Sequence, residues 1–314
     1  FVMNRLSRFT TDFKTPYMSR LTPSALDTYL YCKLRFYYKY VAELYEEDQI
    51  KEELDALIFG NILHDTMEIL YRQFMIVQKT NIVESRHFFW LKEGVNGAIN
   101  EAFQKNYQIK GDNKKVMIEG RNIIAAEIIK KMINKILNID KNYAPFKIIG
   151  LEAGTKEGFS IDFPLEINGR NHVIGLKGKI DRIDLKAGVL RVVDYKTGKD
   201  EKTFETLDSL IDRENINRNK SAFQIFFYSY LLQNRCKEPY ERIEPSIFNS
   251  KQLFDDKFDW RLIKKEKGES EVIIQSFGKY SDGFEKILNK LLKEIWNTEN
   301  PFDQTPDLKK CEFC

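Results

Sequence analysis

Asp181, Asp194 and Lys196 fall on two short apolar runs separated by Leu185-Lys-Ala-Gly188. Ile180, Ile183, Val189, Leu190, Val192 and Val193 give those runs the content of β-strands, and the break between them reads as a turn. A four-residue loop over 185–188 pairs Asp184 with Val189, Ile183 with Leu190, Arg182 with Arg191 and Asp181 with Val192. Side chains alternate between faces along a strand, so Asp194 and Lys196 share the face of Val192, and Tyr195 takes the other. Asp181 then lies diagonal to Asp194 on the same face, and a slip of one residue would turn it away. Two carboxylates on one face repel unless a cation sits between them or one binds a proton. Mg²⁺ or Mn²⁺ suits such oxygen ligands, and the Lys196 ammonium can orient a water or balance charge on a phosphoryl oxygen. The set fits metal-assisted phosphodiester hydrolysis. The same residues would also fit a solvated hairpin with weak surface ion pairs, since so short a pattern arises easily by chance.

The elements that would position this hairpin can be read from the rest of the chain. Its 314 residues are 42% hydrophobic and 13% aromatic, enough for a folded core. A net charge of +3 does not by itself announce a nucleic-acid binder, because Lys and Glu are mixed along the chain. No apolar run approaches the roughly 20 residues of a membrane span, and no secretory signal is visible. The four cysteines do not form a secreted disulfide pattern, so the expectation is a cytoplasmic protein. Starting on Phe1 and stopping on Cys314, the sequence reads as a piece of a longer polypeptide.

Residues 1–20 are irregular and are expected to form a lead-in or linker. Thr22-Pro23-Ser24 starts a helix running to about Leu44, whose many aromatics read as core at helical spacing. A second amphipathic helix opens at Phe59 and carries His64, with Glu68 one turn on. A lone histidine there fits a structural or solvated role as readily as a ligand role. Residues 85–138 continue helical, with a lysine-bearing face, so that 21–140 forms a helical region. Strands are expected over Phe146–Glu152, Phe159–Ile167 and the central hairpin; Glu152 reads equally as an edge-strand residue or as a supporting group near the hairpin acids. Residues 199–220 read as a loop or broken helix, and 221–235 as a helix on which Gln224 and Tyr228 share a face. Tyr228 could belong to the buried stripe of Phe227 and Leu231, whereas Gln224 stands out in so apolar a helix. Further strands over 241–250 and 271–277 and a helix over 283–296 complete a core at 141–300. The tail, 301–314, carries the C-x₂-C pair Cys311 and Cys314, all within one integrated domain.

Gly-x-x-Asp-Arg-x-Asp, followed by Asp194-Tyr-Lys-Thr-Gly198, closely resembles the nuclease motifs of the RecB-like branch of the PD-(D/E)XK superfamily. That branch includes the nuclease domains of RecB and of both AddAB subunits, and CRISPR-associated exonucleases. Phe59-Gly-Asn-Ile-Leu-His64 resembles its FGxxxH motif, Gln224 and Tyr228 its QxxxY motif, and Cys32-Lys-Leu-Arg-Phe-Tyr-Tyr-Lys-Tyr the CPxxFxxxY segment of AddB-type nucleases, with Lys33 in place of proline. The resemblance spans roughly residues 20–314 and implies an α/β, restriction-endonuclease-like fold. In it a mixed sheet is flanked by helices, with the N-terminal helical region inserted before the core strands. It implies that His64, Asp181 and Asp194 bind Mg²⁺ or Mn²⁺, that Lys196 is the catalytic lysine, and that Gln224 and Tyr228 position it or the DNA strand. Glu152 matches a supporting glutamate. Cys32, Cys311 and Cys314 match three ligands of an iron–sulfur cluster whose fourth cysteine would lie beyond Cys314; zinc is the competing occupant. Cys236 is out of place for that role and reads as a buried or free thiol.

The function these motifs imply is a metal-dependent DNA exonuclease, acting in double-strand break repair within a helicase–nuclease and with a helicase–nuclease subunit as partner. The alternatives are a catalytically silent DNA- or partner-binding module and a stand-alone CRISPR-associated-type exonuclease. The presence of all the matched polar residues favours the enzyme, because a silent site would be expected to lose Asp181, Asp194 or Lys196 first.

Overall fold

The computed structural model describes residues 6–11, 19–44, 55–107, 118–153, 159–199, 201–297 and 299–307. Its centre is a five-stranded mixed sheet built from β2 (Ile82–Val83), β3 (Phe146–Ala153), β6 (Ile180–Lys186), β7 (Val189–Lys196) and β9 (Arg242–Asn249), in that spatial order. The first four pair antiparallel in succession, and β7 pairs parallel with β9. Parallel neighbours need a crossover. Helix α5 (Lys220–Arg235) lies in that connection, which places it over the strand carrying Asp194 and Lys196.

Alternation along β7 divides the interior. Leu190 and Val192 enter one core with α1 (Pro23–Tyr31), α5, α6 (Ser281–Trp296) and a second sheet, while Val193 and Tyr195 enter another with α2 (Ala56–Gln78), α3 (Phe88–Tyr107) and α4 (Arg121–Tyr143). The second sheet pairs β4 (Phe159–Ile167) with β5 (Arg170–Gly178) and β5 with β1 (Thr10–Thr11). The described part of the expected lead-in is thus built into the fold, with Leu6 and Phe9 buried. A third sheet joins β8 (Thr203–Phe204), β10 (Ile263–Lys264) and β11 (Val272–Ile273).

Several expectations change. The helix begun at Pro23 ends at Tyr31, because Cys32 is extended (φ −157°, ψ 117°), and helical turns resume over 33–41. The segment 199–220 contains β8 and a single turn at Asp208–Leu210. On α4 the packed stripe is Ile129, Ile133, Ile136 and Leu137, whereas Ile123, Ile124 and Ile128 face solvent. The loop between β6 and β7 is shorter than expected: Ala187 and Gly188 both have positive φ (46° and 76°), giving a two-residue turn with Lys186 opposite Val189. Each residue of β6 therefore meets a partner two places further along β7 than expected: Asp184 pairs with Arg191, and Arg182 with Val193. Continuing that register places Asp181 opposite Asp194. A shift of two preserves the face, so the two acids still share one side. Among the described residues no helix is long and apolar enough to cross a membrane.

Candidate active site

Asp181 lies near the start of β6 and Asp194 near the end of β7, so the acids stand at one end of the central sheet. His64 reaches the same place from α2, a helix capped by Asp55, whose carboxylate accepts from the N–H of Ile58 at 2.8 Å. The His64 ring packs edge-on to Tyr195 at 5.9 Å, and its Nδ1 lies 3.1 Å from Asp181 Oδ2. That carboxylate oxygen also accepts the backbone N–H of Tyr195 at 2.8 Å. Burial works against the charge on Asp181, but His64 and this backbone donor hold its carboxyl below the usual range. Burial would likewise disfavour a charged His64; the carboxylates of Asp181 and Asp194 outweigh it and hold the imidazole up at about 9.

Glu152 completes the group from β3. Ligand atoms of His64, Glu152 and Asp181 all lie within 4.8 Å of one another. Glu152 is 3% exposed and has a φ of 47°, the left-handed region that a glutamate seldom adopts. Burial and the neighbouring Asp181 push its carboxyl upward. Its Oε2 forms an ion pair with Lys179. The sequence marked Glu152 only as supporting or edge-strand. In the structure it is buried near the end of β3, with β6 as the neighbouring strand there, while β2 pairs only with Phe146 and Lys147.

Asp194, on the same face as Asp181, engages Lys196. Its Oδ2 lies 3.0 Å from Lys196 Nζ, which donates to Gln224 Oε1 at 2.8 Å. Gln224 in turn donates from Nε2 to the Tyr228 hydroxyl at 2.7 Å. Burial and Asp181 push the Asp194 carboxyl up despite the nearby lysine. The chain from Asp194 through Lys196 and Gln224 to Tyr228 fixes the ammonium, because each member has its neighbour as a partner. Gly178 allows α5 to come this close: a Cβ there would stand 2.8 Å from the Tyr228 ring and from Leu231.

Three carboxylates, Asp181, Asp194 and Glu152, here meet two lysines, Lys196 and Lys179, and the imidazole of His64. Buried carboxylates grouped this closely favour a cation or a proton. An imidazole nitrogen and two carboxylate oxygens within 4.8 Å form a donor set that suits Mg²⁺ and more so Mn²⁺. Beside His64, Lys196 and Gln224 opens a cleft of about 400 Å³. The first turns of α1, α2 and α5 border it, represented by Ser24, Leu57 and Ser221. Helix N-termini present uncommitted N–H groups and positive dipole ends, a surrounding suited to a phosphodiester strand.

The opposite face of the same strands holds a second polar cluster that the sequence did not reveal. Arg182 donates to Asp140 at 2.7 and 2.9 Å, Arg191 to Asp140 at 3.1 Å and to Asp184 at 2.6 Å, and Tyr71 to Asp140 at 2.7 Å. All four charged residues are fully buried. The one available signal was Asp140, an acid that continues the packed stripe of Ile133, Ile136 and Leu137 at helical spacing.

Cys32 is buried, and the returning tail lies beside it: Leu34 N–H donates to Asp303 carbonyl at 3.1 Å, and Phe302 stacks on Phe36 at 6.0 Å. Cys311 and Cys314 lie outside the described residues. Cys236 is a partly buried free thiol.

The PD-(D/E)XK nuclease superfamily matches residues 20–314, and the chain belongs to that superfamily, with the mixed sheet and flanking helices of its restriction-endonuclease-like fold. It is also similar to a subunit of the ATP-dependent helicase/deoxyribonuclease of Carboxydothermus hydrogenoformans, at 29% identity over 187 residues. The match covers 57% of this chain and 16% of that relative, so the chain spans a small part of the relative's length.

Proposed function

We propose that this chain is a metal-dependent DNA exonuclease domain that hydrolyses phosphodiester bonds, working within a helicase–nuclease that processes double-strand breaks. The observation that carries the reading is the junction of two sets at one sheet end: His64, Glu152 and Asp181 as ion-holding groups, and Lys196 pinned between Asp194 and Gln224. His64, Glu152 and Asp181 would hold Mg²⁺ or Mn²⁺, with Asp194 across the hairpin as the further acid that the motif assigns to the metal. When bound, the ion would lower the pKa of a water and offset charge on the scissile phosphate. Lys196 presents its ammonium toward the attacking water or a non-bridging phosphate oxygen. Asp194 pairs with that ammonium, Gln224 sets its direction, and Tyr228 fixes the amide of Gln224. The bordering cleft would receive the DNA strand. The name of the similar protein supports the helicase–nuclease setting.

For the cysteines we propose an iron–sulfur cluster at Cys32, Cys311, Cys314 and a further cysteine downstream. The support is the return of residues 302–303 to the helical turns beside Cys32. A chain extended to the next cysteine and prepared anaerobically would contain iron; colourless protein would refute the cluster.

The test of activity is labelled linear and circular DNA with Mg²⁺, Mn²⁺ or chelator, beside Asp194→Ala. Degradation of linear DNA that requires metal and is abolished by the substitution is the expected result. Tight DNA binding without cleavage in either metal would instead identify a binding module.

A further inference from the structure

Two lysines flank the candidate ion site, and they are held very differently. Lys196 is locked by Asp194 and Gln224. Lys179, two residues before Asp181, is ion-paired with Glu152, the carboxylate that the metal would use. The partners in that pair are unequal. Glu152 is 3% exposed and fixed by its left-handed backbone, whereas the Lys179 side chain is 56% exposed. The charges acting on Lys179 besides Glu152 are Asp181 and Asp65. It thus looks onto two of the three groups of the ion site.

A divalent ion and an ammonium on one small group of carboxylates repel each other at close range. The buried glutamate is the fixed partner, so the flexible lysine must yield. Its other acidic neighbours are already engaged. Asp65 accepts from Lys105 and from Asn106, each at 2.6 Å, and Glu68 beside them pairs with Arg72 at 2.6 Å. A released Lys179 ammonium therefore finds its next counter-charge outside the protein, on the substrate. This inference rests on the nuclease reading above.

We propose that Lys179 is a displaceable counter-ion: it holds Glu152 until a divalent cation takes its place, and is then handed to a phosphate of the bound DNA strand. The site then exchanges one positive charge for a doubly charged ion, and metal loading itself produces a phosphate-binding group. Metal binding and strand binding are coupled through one side chain.

The test uses the whole chain and reads lysine acetylation by mass spectrometry, with Mn²⁺ binding followed by electron paramagnetic resonance. Saturating Ca²⁺ or Mn²⁺ should raise the acetylation rate of Lys179 at least threefold while leaving Lys196 unchanged. A short oligothymidine added in Ca²⁺ should lower it again. Lys179→Met should bind Mn²⁺ at least threefold more tightly yet bind the oligothymidine in Ca²⁺ at least threefold more weakly, with a shallower salt dependence. Lys179→Arg should restore strand binding. A protein that binds Mn²⁺ with no change in Lys179 reactivity, or a Lys179→Met variant with unaltered strand affinity, overturns the proposal and leaves the nuclease reading standing. No Mn²⁺ binding by the unaltered chain overturns the ion site and the proposal together.

Discussion

The two faces of the β6–β7 hairpin carry polar clusters of similar composition and opposite character. Behind the hairpin, Arg182 and Arg191 meet Asp140 and Asp184, two positive charges against two negative, fully enclosed and closely hydrogen-bonded. Arg191 is also covered by aromatic rings, lying 3.8 Å from the centre of Tyr143 and 5.1 Å from that of Trp260. In front, Asp181, Asp194 and Glu152 have one locked lysine, Lys196, and two exchangeable partners, Lys179 and the His64 imidazole, and they lie behind a cleft lined by His64, Lys196 and Gln224. Charge balance inside a dry core gives a joint that holds its elements together. Exchangeable counter-charges beside a cleft leave a place for a ligand. The motif Gly-x-x-Asp-Arg-x-Asp serves both, because alternate residues along one strand face opposite ways.

The comparison is broken most sharply by single substitutions on each face. On the front, Asp181→Asn is expected to reduce DNA hydrolysis by at least about 10³-fold, or about 4 kcal/mol in the barrier. The urea midpoint of the metal-free protein should fall only modestly, since His64 and the Tyr195 N–H lose an ionic partner while Asp194 and Glu152 lose a repelling charge. A collapse of the fold alongside activity would mean that the front cluster is structural too. On the back, Arg182→Met removes one partner of an enclosed network and should destabilise the protein by roughly 3–5 kcal/mol, read from urea unfolding in chelator. An unmoved midpoint would show that the network contributes nothing to stability.

Gln224→Leu tests how far the lysine depends on its guide. Turnover should fall by about 10-fold, the lower end for groups that orient a catalytic residue, with the fold unchanged. The smallest effect concerns acid. Arg182 and Arg191 hold Asp140 below the usual carboxylate range despite its burial. The stability it contributes is therefore fully present above its unfolded value of about 4 and is lost as the pH falls through the lower folded value. Urea midpoints measured downward from pH 5 should decline in the unaltered chain, and less steeply in Asp140→Asn.

What the sequence disclosed follows from how local each cause is. Strand alternation is a property of neighbouring residues, so the common face of Asp181, Asp194 and Lys196 was legible even though the loop length was misjudged. Ala187 lacks the Asn or Asp that normally announces a positive-φ pair, which hid the two-residue turn. Asn168-Gly169 does carry that signal, with φ of 50° and 72°, and it joins β4 to β5, a strand missing from the expected order. His64, Gln224 and Tyr228 were marked by resemblance to family motifs; the residues alone left His64 as readily structural and Tyr228 as readily packed, and only Gln224 stood out in its apolar helix. Glu152 could not be ranked, since its importance comes from a backbone twist at the end of β3 and from residues distant in sequence. The Asp140 network depends on α4 packing against the sheet, a tertiary event for which one acid on an apolar stripe was the only trace.

The bare backbone at Gly178 sets a clearance between hairpin and crossover helix. A single added methyl would act there as a wedge, pressing on the tyrosine one turn beyond the steering amide. Its force would reach the ammonium as a change of angle, with no reacting atom touched. In the mechanism proposed for Lys196, its aim is thus tuned by the absence of one side chain, and the smallest possible enlargement of the chain at that point would be felt at the ammonium.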